Sequence, residues 1–197
     1  MKKLIALILS MLLLLPLVSC EGNSGGTVNP YYNSSSGTPG SYDDNGNVDR
    51  QENKIQTVKA GDKIKTDSME IKINSVKFSY DVMPDDTNGL YTHYPADAGK
   101  VYIEVDANVT NKAKQNLYCD EIGSIIADYN DGYTYRGFVI VKDSGTGFTY
   151  ANITSIDPLE TKGIKWLIEC PEEVETSSKS LFLELTINSG KYKLVIR

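Results

Sequence analysis

Residues that could carry out acid–base, nucleophilic or metal chemistry are few in this chain of 197 residues. His93 is the only histidine, and the cysteines Cys20, Cys119 and Cys170 form no C-x-x-C pair. Zinc sites need Cys and His ligands at short spacings, so we predict neither a metal site nor a cofactor. The sequence also lacks the G-x-S-x-G, P-loop, H-E-x-x-H and dinucleotide-binding motifs. We expect no enzymatic activity. A hydrolase with paired carboxylates is the enzymatic alternative, because any two acids can meet in space.

One short acidic segment raises the question of calcium binding. Asp128, Asn130 and Asp131 precede Gly132, and spaced oxygen ligands before a glycine are typical of calcium loops. The further acids and the terminal Glu of an EF-hand are missing. Asp and Asn also tolerate positive φ in tight turns. We therefore favour a hairpin turn here and keep a calcium-binding or small-solute-binding protein as an alternative.

The segment 81–98 is long for a connection between strands. It combines the carboxylates of Asp85 and Asp86 with the side chains of Tyr91, His93 and Tyr94. Long loops are often functional, and aromatic side chains are common at recognition surfaces. A mobile loop with incidental aromatics is the simpler interpretation. These five residues are nevertheless the best candidate binding surface in the sequence.

The N-terminus has the pattern of an export signal. Lys2 and Lys3 give a positive start, and residues 4–18 are apolar except for Ser10 and Pro16. A positive end, an apolar run and a small residue before the cut are typical of a secretory signal peptide. The apolar run falls short of the roughly 20 residues that a membrane-spanning helix needs. Residues 1–19 are therefore predicted to be a signal peptide.

Residues 17–20 read Leu-Val-Ser-Cys, which resembles the lipobox of bacterial lipoproteins. The resemblance implies that the Cys20 thiol receives a diacylglycerol and becomes the first residue after cleavage. Acyl chains gain about 0.8 kcal/mol per buried CH₂, and two or more of them form a stable anchor. We expect a lipid-anchored protein at the extracytoplasmic face of the cell membrane. An ordinary signal peptide with Cys20 at the cut by chance is the alternative.

The overall charge argues against polyanionic partners. The chain carries a net charge of −6, and removal of Lys2 and Lys3 with the signal peptide makes this −8. An acidic surface repels phosphate backbones. We expect no nucleic-acid partner, and the membrane partner is expected only through the lipid.

Cys119 and Cys170 remain after Cys20 is lipidated. Disulfides persist in exported proteins, and an even pair of cysteines there is a candidate bridge. Buried free thiols that pack as small apolar residues are the alternative. The spacing does not decide between them, because a bridge depends on how close the two Cα atoms come.

The chain divides by composition into a linker and a domain. Residues 20–54 are rich in Gly, Ser and Asn and poor in apolar side chains, which predicts a flexible linker. A coil of this length reaches roughly 30 Å, enough to hold residues 55–197 off a lipid surface. Tyrosines at 31, 32 and 42 could contact a partner, although incidental tyrosines in a linker are the simpler interpretation.

The pattern of residues 55–197 is that of β-strands. Apolar residues alternate with polar ones over 69–80, 101–109, 164–170, 181–187 and 192–196, the period of half-buried strands. The phase slips between Asn74 and Ser75, which predicts a bulge. Turn residues at 130–132, 145–147 and 188–190 predict hairpins. We predict an all-β antiparallel sandwich with Trp166 in its core.

Five motifs then resemble a known family. In order they are residues 99–105 (GKVYIEV), 109–112 (VTNK), 127–135 (ADYNDGYTY), 156–163 (IDPLETKG) and 166–171 (WLIECP). They are similar to an immunoglobulin-like domain of unknown function found on Firmicute cell-envelope lipoproteins, which is similar in fold to a secreted mycobacterial immunogenic antigen. The resemblance implies an immunoglobulin-like β-sandwich over 55–197 and no catalytic residues. The usual Pro-Gly turn is stretched here to residues 158–163.

Together these features favour a cell-envelope lipoprotein whose extracytoplasmic domain is a non-enzymatic binding or interaction module. The expected partner is an envelope protein or a wall component, with loop 81–98 contributing to the contact.

Overall fold

The computed structural model of the protein describes residues 55–197. The predicted signal peptide, Cys20 and the predicted linker lie outside this part. The described strands are β1 Gln56–Val58, β2 Lys63–Lys65, β3 Met69–Ser79, β4 Asp81–Val82, β5 Tyr94–Pro95, β6 Lys100–Asn111, β7 Leu117–Tyr118, β8 Ser124–Tyr129, β9 Tyr133–Arg136, β10 Phe138–Asp143, β11 Gly147–Tyr150, β12 Ser155–Ile156, β13 Thr161–Pro171, β14 Leu181–Ile187 and β15 Gly190–Val195. One helical turn, α1 Glu173–Thr176, and two 3-10 turns, Cys119–Glu121 and Ala151–Ile153, complete the domain.

Two sheets contain most of the strands. The order in the five-stranded sheet is β1-β15-β14-β8-β9, and the order in the six-stranded sheet is β11-β10-β13-β6-β3-β2. Strands β1 and β15 run parallel, whereas the other pairs are antiparallel. Short pairs β12-β7 and β4-β5 lie outside the two sheets. The predicted all-β sandwich is thus confirmed.

The core lies between the sheets and is built from the alternating apolar residues. Ile103, Val105 and Ala107 of β6 are fully buried there, as are Leu183 and Leu185 of β14. Alternate side chains of a strand point to one face, so a period of two in the sequence becomes a continuous apolar layer. Trp166 is fully buried in the same cluster, as predicted. Among residues 55–197, no helix has the length and apolar character that crossing a membrane would require.

Several local predictions are confirmed. The register of β3 against β6 shifts between Ile73 and Ser75, where the bulge was expected. The hairpin of β8 and β9 turns at Asn130 and Asp131, whose φ angles of 51° and 53° are both positive. Hairpins also join β10 to β11 and β14 to β15 at the predicted turns.

Gly137 is where the chain crosses from one sheet to the other. Strand β9, which ends at Arg136, belongs to the five-stranded sheet, and β10, which begins at Phe138, belongs to the six-stranded sheet. The amide of Gly137 still donates to the carbonyl of Ile125 at 3.0 Å. A Cβ at this position would lie 2.5 Å from Ile125 Cγ2 and 2.6 Å from Ile168 Cγ1. Only glycine therefore fits between the sheets at this crossing.

Strand β6 differs from its prediction because both of its faces are buried. The alternation predicted a half-buried strand with Tyr102, Glu104 and Asp106 on a solvent face. All three are buried. Loop 81–98 covers part of this face, and the sequence period could not show that a second layer lies outside the sandwich.

Candidate binding cleft

Loop 81–98 folds onto the outer face of the six-stranded sheet. Its ends pair as β4 and β5, and Val82 is completely buried. Tyr94 and Ala96 pack beside Val82 on the apolar part of this face, which consists of Tyr102, Ile140, Phe148 and Leu167. Loop 81–98 is therefore held down by a small apolar core of its own.

A network of charged side chains lies on the same sheet face. Lys165 of β13 binds Glu104 of β6 and has its Nζ 3.8 Å from Asp106 Oδ2. Lys142 of β10 has its Nζ 2.7 Å from the same oxygen. Asn74 donates its side-chain amide to Asp106 Oδ1 at 2.6 Å. The carboxylates of Glu104 and Asp106 thus neutralise the ammonium groups of Lys165 and Lys142. Buried charges need such partners, because an unpaired buried charge is strongly destabilising.

Pairing within the network favours the charged forms of Asp106 and Lys142. Burial acts to raise the pKa of Asp106, but the hydrogen bonds from Lys142 and Asn74 outweigh it, and the pKa is lowered. For Lys142, burial acts to lower the pKa, but Asp106 and Asp85 outweigh it, and the pKa is raised. Both shifts follow from pairing with an opposite charge in a partly desolvated place.

A cleft of about 390 Å³ opens between loop 81–98 and the hairpin of β10 and β11. Asp85, Asp86 and Tyr91 line it from the loop, and Lys142 and Asp143 line it from the hairpin. This volume lies at the lower end of the roughly 300–1,000 Å³ that is typical of small-molecule sites. The cleft is therefore large enough for one side chain of a partner or for a small solute.

The loop and the hairpin approach each other very closely at one end of the cleft. The amide of Thr92 donates to the carbonyl of Thr146 at 2.8 Å. Gly147 has a φ of +79°, and a Cβ there would lie 2.6 Å from Pro84 Cβ. Glycine is required at this position both by its backbone conformation and by the contact with Pro84.

The cleft has an excess of negative charge. Lys142 Nζ lies 3.2 Å from Asp85 Oδ2 but is shared with Asp106. Asp86 accepts hydrogen bonds from the backbone and side-chain amides of Asn88, each at 2.8 Å. The amide of Thr146 and then its hydroxyl and the amide of Gly145 lower the pKa of Asp143. Three carboxylates thus face one ammonium group.

The structure brings three of the five predicted binding residues into this cleft. Asp85, Asp86 and Tyr91 line it. His93 does not, because its Nδ1 lies 2.8 Å from Asp81 Oδ1 at the base of the loop. Tyr94 packs against aromatic rings, with its centroid 5.9 Å from that of Phe148. His93 and Tyr94 therefore position loop 81–98 rather than line the cleft.

Sequence reasoning missed the hairpin side of the cleft. Lys142 and Asp143 end strand β10, directly before a turn that the sequence marked only as a connection between strands. Lys142 is 57 residues from Asp85 in the chain, and no local pattern links the two. The only signal was the cluster of polar and glycine residues over 143–147, which is as expected for any hairpin.

Cys119 and Cys170 are free thiols, so the bridge that was one of two alternatives is not formed. The charge of Lys162, at the start of β13, acts on the Cys119 thiol. Cys170 lies near the end of β13, roughly 26 Å further along an extended chain, where its thiol donates to the carbonyl of Val101. Burial raises the pKa of Cys119 to about 11 and that of Cys170 to about 12.

The acidic segment 128–132 forms the favoured hairpin turn. Asp128 Oδ1 accepts the amide of Gly132 at 2.9 Å, and Ser180 binds Asp131 at 3.3 Å. These contacts use the carboxylates to close the turn. In the described part of the chain, no three His, Cys, Asp or Glu side chains converge as a set of metal ligands.

The domain is similar to a β-sandwich protein whose structure has been solved. The crystal structure of an uncharacterized β-sandwich protein from Clostridium difficile is 51% identical, with a TM-score of 0.72. The alignment covers 75% of this chain and 98% of that protein. This chain belongs to the same family as that protein.

A conserved hypothetical protein from Bacillus anthracis is 14% identical over 70% of this chain and 93% of its own length, with a TM-score of 0.49. The sequence matches no protein-family model and no curated protein.

Proposed function

We propose that this protein is a lipid-anchored lipoprotein of the cell envelope whose β-sandwich is a non-enzymatic binding module. Its ligand is a cationic group of an envelope protein or of a wall component, received in the cleft under loop 81–98. The observation that carries the proposal is the cleft itself, in which Asp85, Asp86 and Tyr91 meet the hairpin at Lys142 and Asp143.

The electrostatics of the cleft support a cationic ligand. Three carboxylates line it, and the single ammonium group of Lys142 is already shared with Asp106. Such a cleft attracts positive charge and disfavours anions. Leu90 is 93% exposed at the rim and Tyr91 stands beside it, so a long basic side chain could place its apolar stem there and its charge at the acids.

The pKa shifts of the charged groups in and beside the cleft support binding rather than catalysis. General acids and bases work best when their pKa lies near the working pH. Here the pKa of Asp106 and that of Asp143 are lowered, and the pKa of Lys142 is raised. These groups keep fixed charges at neutral pH, which suits electrostatic recognition better than proton transfer.

The cleft hypothesis can be tested by crosslinking in the native envelope. A photo-reactive amino acid replaces Tyr91, and the control replaces Tyr133, which is 61% exposed on β9 away from the cleft. We expect one dominant adduct from position 91 that is absent from position 133. The adduct should be lost when Asp85→Asn and Asp86→Asn are combined, because the excess negative charge is then removed. Equal adducts from both positions would contradict a specific cleft.

Anchoring is tested separately with Cys20→Ala. Without the thiol no diacylglycerol can be attached, so the protein should move from the membrane fraction to the soluble fraction. Cys119→Ala is the matched control, since that thiol is buried in the domain. Retention of the Cys20→Ala protein in membranes would refute the anchor but would leave the cleft untouched.

A further inference from the structure

Strand β3 has an open edge along its second half. Strand β2 pairs with it only over residues 70–72, whereas β6 pairs with it as far as Ser79. Residues 75–79 therefore have β6 on one side and, in the part of the chain that the structure describes, no strand on the other. We call residues 75–79 the β3 edge.

The register shows which backbone groups point out of this edge. In an antiparallel pair, opposite residues either bond to each other or both point away, and the two kinds alternate along the strands. The backbone of Ile73 bonds to residues 61–62, on the side away from β6. The residue opposite Ile73 is Ala107 of β6, so these two residues form a pair of the kind that points away.

The same alternation continues along β6 past the bulge in β3. Strand β6 has no break in its register against β13, so Val105 and Ile103 are of the same kind as Ala107. They lie opposite Val76 and Phe78 of β3. The N–H and C=O groups of Val76 and Phe78 therefore point out of the β3 edge. A row of unpaired backbone groups is a template on which another strand can pair.

An apolar gap opens beside these backbone groups, between the β3 edge and strand β15. Val76 and Phe78 line it from β3, and residues 194–196 line it from the five-stranded sheet. Both β3 side chains are only partly buried. The gap measures about 250 Å³, more than the roughly 150 Å³ of an engineered cavity that binds benzene. An apolar side chain from a partner therefore fits into it.

The charge around the gap is positive. Of the described residues that line it, the charged ones are Lys59 and Lys77. The guanidinium carbon of Arg197 lies 5.9 Å from the centre of the Phe78 ring. Lys77 Nζ lies 3.5 Å from Glu104 Oε2, but its side chain is still 59% exposed. An acidic side chain is attracted to such a place, although the chain as a whole has a net charge of −6.

A second copy of this chain is a poor occupant of the β3 edge. Symmetric pairing of two such edges about Lys77 would place two ammonium groups opposite each other, and like charges in that position are destabilising. Exposed lysines are one means by which native proteins keep edge strands from pairing with other copies. An acid opposite Lys77 would instead form a favourable cross-strand pair.

We propose that the β3 edge binds an extended segment of a partner protein with the pattern apolar–acidic–apolar, which adds to the six-stranded sheet as an antiparallel strand. Opposite side chains in such a pair lie on the same face. The two apolar side chains would enter the gap beside Val76 and Phe78, and the acidic one would meet Lys77 on the outer face. Backbone hydrogen bonds supply affinity and the alternate side chains supply specificity. This surface is separate from the cleft under loop 81–98, and the inference does not depend on the function proposed for that cleft.

The test uses the synthetic peptide Ser-Thr-Val-Glu-Val-Thr-Ser, blocked at both ends, and the full chain purified in detergent. Backbone amide NMR signals are recorded as the peptide is added. The amide signals of Val76 and Phe78 should shift saturably, with a Kd in the millimolar range or below. Hydrogen exchange of these two amides should slow in the complex, because each gains a hydrogen-bond acceptor.

Two N-methylated peptides test recognition of the backbone without altering the protein. Methyl groups on both valine nitrogens remove the donors that would face the β3 edge, so they should abolish binding. A methyl group on the glutamate nitrogen points away from β3 in the proposed register. That peptide should still bind.

Lys77→Glu should exchange the charge preference. The wild type should bind the glutamate peptide about fivefold more tightly than a peptide with lysine in its place, because opposite cross-strand charges are favourable and like charges unfavourable. The variant should prefer the lysine peptide. Lys72→Glu is the matched control, since exposed Lys72 lies on the same strand where β2 already covers the edge, and it should keep the wild-type preference. Unfolding temperatures are measured, and Lys77→Gln, which should abolish the preference, decides if Lys77→Glu alters the fold.

Three results would overturn the proposal. They are the absence of saturable shifts with the glutamate peptide, equal binding of the peptide methylated at both valines, and an unchanged charge preference in the Lys77 variants. Sedimentation that shows a dimer with protected Val76 and Phe78 amides before peptide is added would assign the β3 edge to a second copy. Shifts confined to Asp85, Tyr91 and their neighbours would assign the peptide to the cleft under loop 81–98, and would equally refute a site at the β3 edge.

Discussion

Replacement of Lys165 by Met should destabilise the domain by about 3–5 kcal/mol, the cost of breaking a buried ion pair by removing one partner. The side chains of Lys165 and Glu104 are only 5% and 2% exposed. In the variant, the Glu104 carboxylate keeps only the ammonium group of Lys77, 3.5 Å from Oε2 and itself largely exposed. Partial compensation by Lys77 places the expected loss near the lower end of the range.

Urea unfolding followed by Trp166 fluorescence measures this loss, with linear extrapolation to zero denaturant. The Tm should fall by roughly 10–15 °C for a domain of this size. Lys63→Met is the matched control. Lys63 binds Glu70 at 2.7 Å but is 51% exposed, and exposed pairs contribute about 0–1 kcal/mol.

The double variant Glu104→Leu/Lys165→Met separates charge from packing. Buried ion pairs can be replaced by apolar residues at little cost, so the double variant should recover most of the stability lost by Lys165→Met alone. A Lys165→Met protein within about 1 kcal/mol of the wild type would refute the argument. A double variant as unstable as the single one would mean that lost packing, such as Lys165 over the ring of Phe148, dominates.

Three further predictions concern the core, the thiols and pH. Gly137→Ala should destabilise by about 1–3 kcal/mol or more, since overpacking between the sheets forces them apart, whereas Gly145→Ala, with its nearest contact at 3.4 Å, should be nearly neutral in the same urea titration. Cys119 and Cys170 should resist alkylation in the folded protein and react on denaturation without reductant; a requirement for reductant, read by mass spectrometry, would contradict the free thiols. Because folding lowers the pKa of Asp106, this carboxylate stabilises the folded state at pH values above its ordinary pKa of 3.8. That stabilisation is lost as the pH falls below 3.8 toward the lowered pKa. The stability difference between pH 6 and pH 3, measured by urea unfolding, should therefore be smaller in Asp106→Asn, and an equal difference would count against this role.

The candidate binding residues show which features of a site the local sequence can predict. Loop 81–98 was identified as a candidate surface because it is long and mixes acids with aromatics, and Asp85, Asp86 and Tyr91 do line a cleft. The same pattern included His93 and Tyr94, which instead hold the loop in place. Composition identifies residue types but not the direction in which each side chain points.

The sequence by itself determined the long strands, the faces that they turn to the core and the hairpin turns. These features depend on neighbours in the chain: the period of two along β14, the positive φ that Asn130 and Asp131 can adopt, and the slip before Ser75. Strand periodicity and turn conformation are set by residues close together in the chain, so a short stretch of sequence is enough to predict them.

Only the tertiary structure decided which surfaces are covered and which distant residues meet. The buried polar face of β6 depends on a loop that folds back over it, and the pairing of Lys142 with Asp85 joins residues 57 positions apart. Cys119 lies in a 3-10 turn near Lys162 at the start of β13, and Cys170 lies near the end of that strand, so their separation likewise depends on tertiary packing. These contacts form when sheets and loops pack in three dimensions. Each depends on two residues that are far apart in the chain, so the pattern of neighbouring residues does not predict it.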